Sequence, residues 1–259
     1  MQASARYPSL QGRTVFISGG ATGIGASFVE QFAAQGAKVG FVDRDAAAGQ
    51  ALVDRIAARP NPLTAPAPLF VACDVTDTDA LRAAIGRTRA AFGPIGALIN
   101  NAANDQRHHV EEVTPAFWDQ CMAVNLRHQF FAAQAVVEDM VALGGGSIIN
   151  LGSISWMIKG PGYPAYATSK AAIHGLTRSL AKDLGKRNIR VNALVPGWVM
   201  TERQIKLWVT PEAEQEIDAN QCLPGRLQPE DVAAFALFLA ADDSRMCTAQ
   251  SFVVDAGWA

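Results

Sequence analysis

The feature that most constrains this chain is an alternation that runs through most of its 259 residues. Short, apolar, β-branched runs occur at Thr14–Ser18, Lys38–Val42, Leu69–Cys73, Ala97–Asn100, Ser147–Leu151, Ile189–Leu194 and Ser251–Val254. Between them, helical spacing of apolar residues covers Gly23–Gln35, Ala46–Ala58, Asp77–Phe92, Pro115–Leu143, Tyr163–Lys186 and Pro229–Ala240. A run bounded by turns and apolar throughout suits a strand buried on both faces. Strands that alternate with helices predict a parallel sheet covered on each side. The expected fold is therefore α/β, a single doubly wound Rossmann-type domain over 1–259 with seven parallel strands and helices on both faces. The proline-rich stretch Arg59–Pro68, with Pro60, Pro62, Pro66 and Pro68, reads as a surface loop, because the alternation resumes unchanged after it.

Composition removes several function classes. The longest apolar run, Val232 to Ala241, is far too short to span a bilayer. The formal net charge is −2 and no Lys/Arg-rich block occurs, so the chain carries no footprint for nucleic acid. Cys73, Cys121, Cys222 and Cys247 are scattered without a Cys-x-x-Cys pair. They read as small buried hydrophobes in a reducing compartment, with neither a disulfide frame nor a metal site. His109 and His174 have no ligand spacing and read as structural. With no apolar stretch after Arg6, a secretory signal is not expected, and the chain reads as a cytoplasmic globule.

The turn after the first strand is Ser18-Gly19-Gly20-Ala21-Thr22-Gly23-Ile24-Gly25, and it opens the first helix. Glycines there let the backbone approach a pyrophosphate, and the helix N-terminus offers free N–H groups to the anion. Asp43 ends the second strand, 18 residues after Gly25. A carboxylate at that place accepts from both ribose hydroxyls of an adenosine and repels a 2′-phosphate, favouring NAD over NADP. Arg44 beside it argues the other way, and Asp43 as a mere cap of the next helix is a second reading.

Tyr166 and Lys170 stand four residues apart in a strongly helical stretch, on one face. An ammonium beside a phenol favours the phenolate, so the pair is expected to form a tuned proton acceptor. A snorkelling surface pair is the plain alternative. Ser153 stands 13 residues before Tyr166, just beyond the strand Ser147–Leu151 and so at the carboxyl edge of the sheet. Asn125 falls inside the expected long helix from Pro115, where an amide needs a partner.

On these residues the chain resembles the short-chain dehydrogenase/reductases, from about Leu10 to the C-terminus. The resemblance implies that Gly19, Thr22, Gly23, Ile24 and Gly25 hold the pyrophosphate of the cofactor. Asp74-Val75 then sits by the adenine, and Asn101 and Ala102 line the cofactor floor. Asn125, Ser153, Tyr166 and Lys170 match the catalytic tetrad. Tyr166 takes the hydroxyl proton, Ser153 holds the same oxygen, Lys170 also bonds the nicotinamide ribose, and Asn125 holds a relay water. Pro196 and Gly197 open the segment that passes the nicotinamide, with Val199 and Thr201 on its carboxamide. Ser18 stands where threonine is usual, Ala103 and Gly152 replace Gly and Ser, and Ala249 and Ala256 replace glycines. No group the mechanism needs is lost. A homotetramer is also implied.

Substrate choice lies in the loops beyond the strand ends. Here they are polar. Asn104, Asp105, Arg107 and His108 follow the fourth strand, Arg127-His128 lies past Asn125, Trp156 follows Ser153, and Trp198, Gln204 and Trp208 come later. Hydrogen-bonding groups beside flat aromatics suit a sugar, whose ring faces stack and whose hydroxyls pair. Against this stands the plainer reading of Arg107 and His108 as solvated and Trp156 as core. The strings Asn-Asp-x-Arg-His, Asn-Leu-Arg-His, Gly-Ser-Ile-Ser-Trp and Asp-Ala-Gly-Trp resemble NAD-dependent aldose 1-dehydrogenases. That resemblance implies oxidation of the anomeric hydroxyl of a cyclic aldose, a pentose such as D-xylose, to its lactone. Other hydroxy or keto substrates (a polyol, a 3-hydroxyacyl compound, a steroid-like alcohol) form the alternative, and a protein that only senses the nucleotide is a third. Residues 201–226 read as a lid or as a static excursion.

Overall fold

The computed structural model describes residues 5–59 and 65–259. Pro60 and Pro62 of the expected loop lie outside the described residues, whereas Pro66 and Pro68 lie in irregular chain before a strand. Seven strands form one parallel sheet: β1 (Thr14–Ser18), β2 (Lys38–Asp43), β3 (Leu69–Ala72), β4 (Ile95–Asn100), β5 (Gly146–Leu151), β6 (Ile189–Pro196) and β7 (Ser251–Val254). Their order is β3-β2-β1-β4-β5-β6-β7.

The burial of the strands explains their composition. Every residue of β1 is buried, and neighbours along it serve opposite faces. Val15 and Ile17 join an apolar cluster with α1 (Gly23–Ala34), α2 (Ala46–Ala57) and the late helix Pro229–Ala240. Phe16, between them, joins the opposite cluster with α3 (Thr78–Phe92) and the helices His128–Ala142 and Pro164–Leu184. Both faces are thus apolar at a period of two, which along the chain reads as a continuous apolar run. Side chains set the helix starts. Asp45 accepts from Ala48 N at the head of α2, and Asp77 accepts from Asp79 N and Ala80 N at the head of α3. Each such cap contributes about 1 kcal/mol.

Two stretches differ from the sequence expectation. The long helix Pro115–Leu143 is two helices, α4 (Pro115–Met122) and α5 (His128–Ala142), joined by a π-helical turn at Ala123–Arg127. The widened turn lies where the Asn125 side chain, within it, takes the Cys121 carbonyl as a partner. After α6 (Pro164–Leu184), the 201–226 segment holds two further helices, α7 (Glu202–Leu207) and α8 (Pro211–Asn220), before α9 (Pro229–Ala240). Their N-caps Thr201 and Thr210 accept from Gln204 N and Ala213 N. Only Ala213 and Ile217 of these helices are buried, so their apolar periodicity is faint. Among the described residues, no helix is long and apolar enough to cross a membrane.

The strand order positions the site. From β1 the chain winds towards β3, and from β4 it winds the other way, so the loops leaving these neighbouring strands part and open a crevice. Ser18, Asn100 and Asn150 lie in register across β1, β4 and β5 at that edge. Ser18 Oγ accepts from Asn101 N and Ala102 N at 3.0 and 3.1 Å, which fixes the start of the loop after β4. The hydroxyl is the working group there, and serine supplies it as threonine would. Asn100 Nδ2 donates to Asn150 Oδ1 at 2.9 Å, and Asn150 Nδ2 to Thr177 of α6 at 3.1 Å. Buried amides so paired tie the sheet edge to the helix beneath the site.

Candidate active site

A cleft of about 950 Å³ opens at this crevice. Gly19, Thr22, Gly23, Ile24 and Gly25 form its wall at the β1 end. Gly19 has φ +67°, and a Cβ there would come within 2.7 Å of the Ala102 Cα. A Cβ on Gly25 would run into the Gly19 carbonyl oxygen. The side chain of Thr22, the residue before α1, makes no capping bond, which leaves the first amides of the helix available to an anion. These features fit the pyrophosphate of a dinucleotide.

Asp43 also lines the cleft, with Oδ2 accepting from Ala21 N at 3.0 Å and Oδ1 from Asp45 N at 3.1 Å. The cap of α2 is Asp45, so the capping reading of Asp43 falls. Arg44 lies exposed beside it on the cleft rim. Asp74, whose Oδ1 accepts from Thr76 N and Oγ1, and the buried Val75 continue the same wall. Asn101 Nδ2 donates to the Gly19 carbonyl at 2.7 Å, holding the two loops together, and Ala102 lies buried next to it. Pro196, Gly197, Val199 and Thr201, at and beyond the end of β6, also line the cleft, with Thr201 against Gly23.

The four residues expected to act in chemistry converge from three elements. Ser153 lies just past β5, Tyr166 and Lys170 lie on α6, and Asn125 lies on the π-turn. Ser153 Oγ accepts from Ser155 N at 3.1 Å and also hydrogen-bonds Tyr166. Lys170 is 1% exposed and lies under the cleft floor, with Nζ donating to the Leu151 carbonyl at 2.8 Å and 5.5 Å from the centre of the Tyr166 ring. Burial draws its ammonium down to about 8. The snorkelling surface pair is therefore not what forms.

Tyr166 departs from the expected tuning. Burial raises its phenol well above the ordinary value, and the Asp105 carboxylate raises it further. The hydrogen bond with Ser153 and the Arg107 charge pull it back. Desolvation outweighs the groups that oppose it, Ser153 and Arg107. Asn125, fully buried, has its amide engaged by the chain. Oδ1 accepts from Asn104 N at 2.8 Å, while Nδ2 donates to the Cys121 and Asn104 carbonyls at 3.0 and 3.2 Å. The side chain thus pins the loop after β4.

On the substrate side, Asn104, Asp105, Arg107, Trp198 and Gln204 share the cleft with Ser153. Asp105 receives Gln204 Nε2 at 2.6 Å and Arg203 Nε at 3.3 Å, which bridges the loop after β4 to α7. The Arg107 guanidinium lies 4.5 Å from the Tyr163 ring centre and 5.2 Å from that of Trp208. It is half-buried between two aromatics, not solvated.

Other expected residues lie elsewhere. His108 is buried away from the cleft wall: its Nε2 accepts from Ala165 N at 3.1 Å and its Nδ1 pairs with the Gln106 carbonyl at 3.0 Å, so both ring nitrogens are occupied. Trp156 turns outward, 40% exposed, with Nε1 donating to His174 Nε2 at 3.0 Å. It is neither core nor cleft wall. Trp208 stands behind Arg107, outside the cleft lining. Arg127 donates to the Thr76 carbonyl, and His128 is fully buried 3.4 Å from Ser18 Oγ, held neutral with its pKa pushed down to about 3 by burial and then by Lys170.

Residues that sequence reasoning missed also line the cleft: Tyr163, Phe117, Glu216, Asn220 and Trp258. Glu216 and Asn220 come from α8, whose helical signal was too weak to place them. Trp258 ends the Asp-Ala-Gly-Trp string, and that string is its signal in the sequence.

The family model described as enoyl-(acyl carrier protein) reductase matches residues 19–259. The chain is 47% identical over 256 residues to the D-xylose 1-dehydrogenase of Caulobacter vibrioides, covering 99% of each. It is 46% identical over 254 residues to a probable galactose dehydrogenase of Rhizobium meliloti, covering 98% of each. A solved 7α-hydroxysteroid dehydrogenase, complexed with NADH and 7-oxo glycochenodeoxycholic acid, superposes with a TM-score of 0.90 at 30% identity, over 97% of this chain and 96% of that one. Matched in sequence along nearly its whole length and in its doubly wound sheet, the chain belongs to the short-chain dehydrogenase/reductase family, oxidoreductases that act on CH–OH groups with a nicotinamide dinucleotide.

Proposed function

We propose that this protein is an NAD-dependent aldose 1-dehydrogenase that oxidises the anomeric hydroxyl of a cyclic pentose, D-xylose foremost, to the lactone. One observation carries the reading: four hydrogen-bonding side chains, Asn104, Asp105, Arg107 and Gln204, share the cleft with Ser153 and Tyr166. Such a rim suits a ring bearing several hydroxyls and suits an apolar alcohol poorly. Relatives of nearly half identity that are named for xylose and galactose point the same way.

A nicotinamide dinucleotide held along Gly19, Thr22, Gly23, Ile24, Gly25 and Asp43 would supply the hydride acceptor. Tyr166 takes the proton of the anomeric hydroxyl on its phenolate oxygen while Ser153 Oγ holds the same oxygen. Positive charge that develops at the anomeric carbon is stabilised by the ring oxygen of the sugar. Lys170, seated on the Leu151 carbonyl, would hold a charge under the cleft floor and would bond the nicotinamide ribose of a bound cofactor. Asn125 keeps the Asn104 loop in place, so the polar rim keeps its shape. Asp43 favours NAD, because a 2′-phosphate would meet its carboxylate. Residues 201–226 act in this reading as a lid, latched by Asp105 to Gln204 and Arg203. The assembly is a homotetramer in the same reading, supported by exposed apolar side chains such as Phe130, Val141 and Leu143 on and beside α5.

Kinetics with a panel of pentoses, hexoses, polyols, a 3-hydroxyacyl compound and a steroid alcohol, each with NAD and with NADP, test this. The expected result is the highest kcat/KM for an aldopentose with NAD. A higher value for an apolar alcohol than for every aldose contradicts the substrate, and a preference for NADP contradicts the role of Asp43.

A further inference from the structure

Trp258, four residues past β7, lines the cleft. Asp255, 6% exposed, spends its carboxylate on the tail, accepting from the backbone N–H groups of Gly257, Trp258 and Ala259 at 2.8, 3.1 and 2.7 Å. Ala256 and Gly257 take φ +58° and +84°, which turns the tail back on itself. The Ala256 carbonyl then accepts from Cys222 N and Leu223 N at 2.9 and 3.1 Å, joining the tail to the chain that follows α8. Burying a carboxylate is costly unless it is well bonded, and here every bond goes to fixing three terminal residues.

The tail delivers an indole to one place. Trp258 packs against the apolar group of Ile154, Ile173, Ala193 and Val195, of which Ile154 is the residue after Ser153. Its ring centre lies 6.1 Å from that of Trp198, with 39° between the planes. Trp198 also lines the cleft, and its Nε1 is buried without a hydrogen-bond partner. A buried donor left unpaired destabilises the protein, and a ligand acceptor would satisfy it.

We propose that Trp258 and Trp198 form an aromatic wall of the substrate pocket, on which the C–H face of a pyranose ring stacks while Trp198 Nε1 donates to a sugar hydroxyl. The C-terminal tail is then a specificity-determining part of the enzyme. Aromatic faces are electron-rich and sugar C–H faces are apolar and weakly positive, so the two surfaces match. The inference rests on the aldose reading of the cleft.

The test compares full-length wild type, Trp258→Leu, Trp258→Phe and Trp198→Phe on the aldose panel, with melting temperature and NAD affinity as controls. Trp258→Leu is expected to raise KM for the preferred aldose about tenfold. Its kcat and NAD affinity should stay near wild type, and Trp258→Phe should recover most of the loss. Trp198→Phe, which keeps a ring but removes the donor, should reduce the preference for the aldose over its deoxy analogue. Unchanged kcat/KM ratios across the panel in both Trp258→Leu and Trp198→Phe overturn the inference, as does a Trp258→Leu loss confined to kcat, NAD affinity and melting temperature. A wild type that oxidises no aldose overturns the aldose reading and this inference together; wild-type turnover with unchanged variant ratios overturns the inference alone.

Discussion

The two ends of the cleft are built by different means. The β1 end is made by the backbone: a glycine turn, the open start of α1 and strands buried on both faces. The other end is made by side chains gathered from the loop after β4, the Ser153 loop, α6, the segment with α7 and α8, and the C-terminal tail. A dinucleotide asks for backbone amides at a fixed spacing, and one local motif can supply them. A small polyol asks for directed side chains, which here only tertiary packing brings together. The β1 end should therefore be sensitive to steric change and indifferent to the substrate, while the far end should govern selectivity and leave cofactor binding alone.

The chemistry where the ends meet gives the largest expected effect. Tyr166→Phe removes the proton acceptor, and kcat should fall about a thousandfold with NAD affinity retained. Steady-state rates with a binding titration check both halves of that statement. At the backbone-built end, Gly25→Ala forces a methyl against the Gly19 carbonyl. Overpacking of this kind costs about 1–3 kcal/mol, so NAD should bind roughly ten- to a hundredfold more weakly. The ratios of kcat/KM among aldoses should not move, and a change in them would break the contrast between the two ends.

A smaller effect sharpens the side-chain end. Asp105 raises the Tyr166 pKa and Arg107 lowers it. A raised pKa leaves the phenolate scarce near neutrality, so oxidation should speed up as pH rises. Asp105→Asn removes a charge that opposes the phenolate, and the rising limb of kcat/KM should move to lower pH. Arg107→Gln should move it to higher pH. Profiles that shift together, or not at all, would show that these residues act on Tyr166 through packing alone.

Legibility followed the same divide. The seven strands, the glycine turn and Asp43 could be read from sequence because backbone geometry dictates residue type there. The π-turn could not, because it departs from the helical period by one residue at Asn125 and leaves the apolar pattern nearly intact. Arg107 and His108 show the limit more sharply. They are neighbours in one polar loop, yet Arg107 stacks into the cleft while His108 is drawn inward by Ala165 N. No periodicity governs such a loop, so the direction of each side chain is set by contacts with α6 and α7 that lie far off in the chain. Trp156 and Trp258 repeat the point in reverse, since the aromatic close to Ser153 in sequence faces outward and the one at the chain end faces the cleft.

The central claim is that hydride leaves the anomeric carbon of an aldose for NAD. Turnover of D-xylose carrying deuterium at C1 tests it most directly, with mass spectrometry of the reduced cofactor. The label is expected to move to the nicotinamide, and the unlabelled sugar to react at least as fast. Reduced cofactor free of deuterium, with the label kept on the sugar product, would contradict it.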